Sequence, residues 1–206
     1  SRSYASGRRI YTFRIEQQKF WLKFHEPNIH KGLEQAFQRE LEFYQENEKI
    51  HSNLLLPYQV VQFDQNTAFQ SIVDQGQGLI LLDVEPFFTD ISQLKSLEAI
   101  QQKIITALDS LNELHQLGWI HGDLKPDHFR QMDNACKLID FEQSFKLQSP
   151  ILEINATPHY MAPELFHGQS KSVQSDLYAF GIILYEWMAQ TKLHANSYRD
   201  WGVLHC

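Results

Sequence analysis

Asp123 and Lys125 stand two residues apart in Ile120-His121-Gly122-Asp123-Leu124-Lys125-Pro126-Asp127-His128-Phe129, a polar stretch between apolar residues. Asp140 lies between Ile139 and Phe141 in Leu138-Ile139-Asp140-Phe141-Glu142. A carboxylate among such neighbours is costly to bury unless a partner meets it. Lys23 sits in the apolar run Phe20-Trp21-Leu22-Lys23-Phe24, with Lys19 as its only nearby competitor. The chain as a whole carries a net charge of -7 at pH 7. It therefore has no general electrostatic reason to hold nucleic acid or an anionic membrane, and an anionic ligand would have to be met by a few local cations. Ten histidines raise the question of a metal. No Cys-x-x-Cys or His-Glu-x-x-His pattern accompanies them, and a zinc site is not expected.

The segments that must position these residues change character part-way along the chain. Residues 10–24 hold two β-rich runs around Glu16-Gln17-Gln18, the pattern of a hairpin. Leu33, Phe37, Glu40, Leu41 and Tyr44 then recur at helical spacing within 31–49. Strand-like runs follow at Tyr58–Phe63, Thr67–Val73 and Leu79–Val84, with a turn expected over Asp74-Gln75-Gly76-Gln77-Gly78. Residues 92–117 read as an amphipathic helix ending at Gly118, which suits a C-terminal cap. Short strands flank the loop across 119–140, and another helix is expected from about Ser175 to Gln190. The order is a β-rich lobe, then an α-rich lobe, with a junction near Glu85-Pro86. A cleft between two lobes is the usual place for a ligand.

Four blocks now fall into one order: Ile120 to Phe129, Leu138 to Glu142, Ala156-Thr157-Pro158-His159-Tyr160-Met161-Ala162-Pro163-Glu164, and Ser175-Asp176-Leu177-Tyr178-Ala179-Phe180-Gly181. In that order and spacing the chain resembles the eukaryotic-like Ser/Thr protein kinase family, as a minimal and divergent, bacterial-type member. The resemblance runs roughly from Gly7 to Gln190. It implies an α+β, protein kinase-like two-lobe fold over a single domain, 1–206. The N-lobe would span about 1–85. The C-lobe, about 86–206, would be cut short after its central helix.

By the same resemblance, Asp123 faces the attacking hydroxyl and Lys125 contacts the γ-phosphate. Asp140 binds the metal. Lys23 grips the α- and β-phosphates and pairs with Glu40, whose rivals are Glu34 and Glu42; Glu40 shares a helix face with Phe37 and Tyr44. Gly7 is the sole candidate for the phosphate-covering glycines. Leu82 is the gatekeeper, and Asp83, Val84 and Glu85 form the hinge that meets adenine. Thr157 bridges Asp123 and Lys125 and shapes the substrate platform. Asp176 holds the catalytic-loop backbone, and His121 and Phe141 pack in the core.

The chain departs from the family's pattern in five places. The glycine-rich loop is nearly absent. His128 replaces the asparagine that holds the second metal. Glu142 replaces the glycine after Asp140-Phe141 and adds a carboxylate beside the metal, so His128 and Glu142 both join Asp140 as metal candidates. Mg²⁺ prefers oxygen donors, whereas an imidazole ligand would favour Mn²⁺. Gly122 replaces the arginine that reads an activation-loop phosphate, which implies activity independent of such phosphorylation. Finally, the chain ends sixteen residues after Gln190. The family's later helices carry an arginine that pairs with the glutamate at 164, and Arg199 is the candidate to clamp Glu164 here.

The reading is ATP-dependent transfer of the γ-phosphate to serine or threonine of a protein, with ATP and Mg²⁺ (or Mn²⁺) required. The alternatives are a small-molecule kinase and a pseudokinase acting as a binding module. Cys136 and Cys206 fit a reducing, cytoplasmic setting and not a disulfide framework. No apolar run is long enough to predict a membrane span, and Ser1 opens the chain without a signal-peptide pattern.

Overall fold

Arg8–Ile15 (β1) and Gln18–His25 (β2) form the expected hairpin, paired from Arg8 with His25 to Ile15 with Gln18. Its turn places Glu16 at φ 54, a left-handed value that a non-glycine residue adopts only at a cost of about 1 kcal/mol. A short helix, Arg2–Ala5 (α1), precedes β1. Lys31–Glu46 (α2) follows the hairpin, with His30 Nδ1 accepting from the Leu33 N–H at 3.3 Å as its N-cap. Tyr58–Phe63 (β3) and Gly76–Leu82 (β4) complete an antiparallel sheet of order β1-β2-β4-β3. Ala36, Phe37, Leu41, Phe43 and Tyr44 of α2 are buried, as are Leu22, Phe24, Phe63 and Leu79 of the sheet.

Where a turn was expected at Gly76 to Gly78, the chain is already β4. Gly78 has a packing reason for being there: a Cβ on it would meet Phe63 Cζ at 2.5 Å. The missing side chain lets the Phe63 ring lie across the strand and meet Phe24 edge-on at 5.4 Å.

The computed structural model describes residues 2–48, 54–63, 76–149 and 157–206, and the chain separates into two units, Ser1–Val84 and Glu85–Cys206. The expected strand Thr67–Val73 lies outside the described residues. In the second unit Leu97–Gln116 (α3) is capped by Ser96 and stops at Gly118, φ +82. It begins later than the periodicity suggested, because Ile91–Gln93 forms a separate 3-10 turn. Trp119–Ile120 (β5) pairs with Phe145–Lys146 (β8), and Phe129–Met132 (β6) pairs with Ala135–Leu138 (β7). These two ladders bracket the loops that carry Asp123 and Asp140. Ser110 of α3 donates to the Cys136 carbonyl at 2.7 Å and ties β7 to the helix.

Pro163–Phe166 (α4), Val173–Ala189 (α5) and Tyr198–His205 (α6) finish the unit. α5 starts on a reciprocal capping box between Ser172 and Ser175 and ends on Gln190 at φ 50. No element was expected after Gln190, yet Ser197 caps α6 by accepting from the Asp200 N–H at 3.1 Å. The expected clamp of Glu164 by Arg199 is not formed: Arg199 is exposed, and no ion pair or hydrogen bond joins the two side chains. Instead α6 is held by rings. Trp201 stacks on His159, Phe166 meets Tyr198, and the Tyr178 hydroxyl bonds His205 Nδ1 at 2.9 Å. The architecture is α+β, a β-rich unit followed by an α-rich one, as expected. Among the described residues no helix is long and apolar enough to cross a membrane.

Candidate active site

In the first unit Lys23 stands in the middle of β2, flanked by Ile10 on one neighbouring strand and Leu79 on the other. Strand alternation sends Leu22 and Phe24 to the opposite face. Lys23 Nζ lies 2.7 Å from Glu40 Oε2, with side-chain exposures of 11% and 0%. The rivals are elsewhere: Glu42 is exposed, and Glu34 accepts from the Asn28 N–H. Lys19, the other candidate lysine, pairs with Asp83 at 2.6 Å, and its carbonyl accepts from the Asp83 N–H at 2.8 Å. Gly7 needs its left-handed φ of +92, and a Cβ there would meet His25 and the Glu26 carbonyl. Its N–H donates to the Tyr4 carbonyl at 3.1 Å, so that donor is engaged within the turn after α1.

In the second unit the loop after β5 is suspended from one carboxylate of α5. Asp176 Oδ2 accepts from the His121 N–H at 2.8 Å and Oδ1 from the Gly122 N–H at 2.9 Å, while His115 Nε2 lies 3.0 Å from Oδ2. His121 is fully buried, and burial first, then the neighbouring His128, pulls its pKa down to about 4. It is therefore the neutral imidazole. Its Nε2–H donates to the Ile139 carbonyl at 3.1 Å, which leaves Nδ1 to accept from the Asp123 N–H at 3.4 Å. Its ring packs on Phe141 at 5.3 Å. Asp176, His121 and Phe141 thus fix the backbone from which Asp123 projects.

Gly122 has a backbone explanation. Its φ is +79, and a Cβ would come 2.6 Å from the Gln143 carbonyl oxygen and 3.1 Å from Lys171 Cδ. An arginine does not fit this backbone, and the buried Lys171 stem occupies the space beside it.

Asp123 Oδ1 accepts twice from Thr157, from the N–H at 2.9 Å and from Oγ1 at 2.8 Å. Asp123 Oδ2 faces Lys125 Nζ at 3.2 Å. Burial pushes the Asp123 carboxyl up, but Lys125, both Thr157 donors and His128 together outweigh it, and its pKa falls below the ordinary carboxylate value. The group is an anion with one oxygen saturated and the other turned to a half-exposed lysine.

Asp140 adopts the left-handed region at φ 67, ψ 64, which a non-glycine residue adopts only at a cost. Its Oδ2 lies 3.2 Å from His128 Nε2. The His128 ring stacks on His121 at 5.3 Å, and its Nδ1 is buried without a hydrogen-bond partner. Oxygens of Asp140 and Glu142 lie within 4.8 Å of one another. This all-oxygen pair is the donor chemistry a hard divalent cation takes. His128 is differently placed: its Nε2 faces the Asp140 carboxylate as the nitrogen side of a His–carboxylate pair.

Of the residues singled out from sequence, Lys23 and Glu40 meet in the first unit, and Asp83 pairs there with Lys19. In the second unit Lys125 and Thr157 each meet Asp123, but the expected Thr157 link to Lys125 is not formed, because both Thr157 donors are spent on Asp123 Oδ1; His128 lies beside Asp140. The Glu85 carbonyl accepts from the Gln131 N–H at 2.8 Å. Among the described residues Val84 is half-buried. Sequence reasoning missed His115, Ser144 and Lys171. Ser144 Oγ donates to the His121 carbonyl at 3.1 Å. All three are common residue types whose roles depend on long-range packing, and no local pattern marks them.

The protein kinase domain model matches residues 11–202, and the chain belongs to that family. It is 35% identical over 92 residues to the cGMP-dependent protein kinase of Toxoplasma gondii, covering 44% of this chain and 9% of that one. It is 29% identical over 143 residues to the serine/threonine-protein kinase ppk34 of Schizosaccharomyces pombe, covering 66% and 39%. With the serine/threonine-protein kinase RUNKEL of Arabidopsis thaliana it shares 45% identity over 83 residues, 37% of this chain and 6% of the relative. The chain spans less than half the length of each.

Proposed function

We propose that this chain transfers the γ-phosphate of ATP to serine or threonine of a protein. The observation that carries the reading is the state of Asp123, an anion fixed on one oxygen by Thr157 and half-open on the other. In such a transfer the hydroxyl oxygen of the acceptor forms a bond to the γ-phosphorus, and the bond to the β-phosphate oxygen breaks. ADP leaves with that electron pair, and the hydroxyl proton passes to Asp123. Lys125 keeps Asp123 ionised and offers a cation to the moving phosphoryl oxygens. Lys23, oriented by Glu40, is the cation for the α- and β-phosphates, and the hinge Asp83, Val84 and Glu85 is the adenine side. Gly7 remains the candidate cover, through atoms other than its engaged N–H.

Asp140 and Glu142 would hold Mg²⁺, which when bound supplies positive charge to the phosphate oxygens. The 3.2 Å approach of His128 Nε2 to the Asp140 carboxylate favours a positioning role for this histidine over direct ligation. The Thr157 platform favours a protein acceptor over a small molecule. The free thiols of Cys136 and Cys206 fit a reducing, cytoplasmic compartment.

The test is transfer of labelled γ-phosphate from ATP to dephosphorylated casein, followed by phosphoamino-acid analysis, with Asp123→Asn beside the parent. Phosphoserine or phosphothreonine is expected from the parent only. Equal transfer by Asp123→Asn would sink the reading. One observation favours the pseudokinase alternative, the engagement of the Gly7 N–H by Tyr4. ATP binding without any transfer by the parent is its signature.

A further inference from the structure

The 3-10 turn Pro158–Tyr160 follows directly on Thr157, the residue whose two donors hold Asp123. Its middle residue, His159, is not needed for that contact, yet it is the most connected side chain of the turn. His159 Nε2 lies 2.5 Å from Glu186 Oε1 of α5, a carboxylate only 4% exposed. The same oxygen accepts from the Leu193 N–H at 2.8 Å, and the Tyr160 hydroxyl reaches Oε2 at 3.4 Å. On its faces the imidazole is enclosed by rings, Tyr160 at 4.5 Å and Trp201 of α6 at 4.6 Å. Trp201 in turn stacks on His205 at 5.6 Å with 15° between the planes, and His205 is bonded to Tyr178 of α5. A continuous column of rings therefore runs from the platform through α6 and back to α5.

A buried carboxylate that loses its hydrogen-bonding partner is expensive, and stacked aromatic pairs add to their burial. Both terms act here on one residue of a three-residue turn that has little burial of its own: His159 and Pro158 are half-buried, and only Tyr160 is buried. Glu164, three residues past the turn's C-cap Met161, forms no ion pair with any described residue that could hold the segment from its other end.

We propose that His159 is a positioning residue for the acceptor side of the site, and that α6 acts through Trp201 as a brace that fixes the Thr157-to-Ala162 platform. In its kinetic readout the proposal rests on the kinase reading; in its structural readout it does not.

The experiment compares the full chain with His159→Phe, which keeps a ring but drops the Glu186 bond, and with Trp201→Leu, which keeps the bond but drops the ring. Hydrogen exchange is followed at the Tyr160 and Met161 amides, which donate to the Thr157 and Pro158 carbonyls. Exchange there should quicken about tenfold in both variants, with α3 and the β6–β7 hairpin unchanged. The KM for dephosphorylated casein should rise about tenfold while the KM for ATP stays within about twofold. Unchanged exchange at Tyr160 and Met161 would overturn the brace. A uniform rise across Glu85–Cys206 would reduce it to general stability and overturn it equally, as would an unmoved casein KM in a variant with quickened exchange. A parent that transfers no phosphate would sink the kinase reading, and the exchange pattern would then decide the brace alone.

Discussion

Lys23–Glu40 in the first unit and Lys125–Asp123 in the second are both carboxylate–ammonium pairs, at 2.7 and 3.2 Å, but water reaches them differently. Glu40 has no exposure and Lys23 little, so breaking this pair would leave a buried charge poorly compensated. Asp123 and Lys125 are 17% and 33% exposed, and Asp123 is fixed chiefly by Thr157. The first pair is closed and suits a fixed cation held at one place on a strand. The second is anchored on one oxygen and half-exposed on the other, which suits the proton-accepting role proposed for Asp123. Burial thus separates a closed ion pair from one that water reaches when the residue types are the same.

The largest effect that would sharpen this contrast is Asp123→Asn. Transfer should fall about a thousandfold, with ATP affinity within about twofold of the parent by calorimetry, because the amide keeps the size of the side chain. Lys23→Met should behave oppositely. It leaves Glu40 buried without this cation, and the thermal or denaturant stability of the first unit should drop by about 3 kcal/mol, with ATP affinity falling too. If Lys23→Met spares stability and Asp123→Asn does not, the assignment of closed and open pairs is reversed.

A third effect belongs to the second unit alone. His121 has a folded pKa of about 4 against an ordinary value of 6.5. The depressed value means that the unfolded chain binds this proton more readily. The stability from a neutral His121 is fully present above pH 6.5 and is lost as pH falls towards 4. The loss should be about 1.4 kcal/mol per pH unit within that window, read from urea unfolding at pH 7, 6 and 5, and His121→Phe should flatten it.

The smallest effect concerns the metal. Glu142→Gly should lower transfer in Mg²⁺ about tenfold, more than His128→Ala does, because a carboxylate suits the hard cation. If Glu142→Gly is neutral in Mg²⁺ and in Mn²⁺ while His128→Ala is inactive, the histidine is the ligand.

The hairpin, α2 and α5 were legible in the sequence because each has a strong period and clear ends. The choice of Glu40 over Glu34 and Glu42 was legible for the same reason, since the helix face is set by Phe37 and Tyr44. Gly78 was misread as a turn residue, because a glycine that makes room for a ring across a strand looks locally like one that bends the chain. α6 was missed because it is short and its burial comes from Trp201 and His205 against rings distant in sequence. The approach of His128 to Asp140 was equally hidden: the family motif supplies a position, whereas the 3.2 Å pairing follows from the carboxylate that the fold brings beside it.

Cys136 is fully buried on β7, and burial pushes its thiol up to about 12, while Cys206 is exposed. At neutral pH the buried sulfur is neither accessible nor a thiolate, so a maleimide or iodoacetamide meets one reactive cysteine in the folded second unit. A second covalent label requires β7 to come away from α3. The mass gain of a second adduct, timed in an alkylating reagent, is therefore a clock for the opening of that unit, readable by mass spectrometry without any knowledge of the substrate.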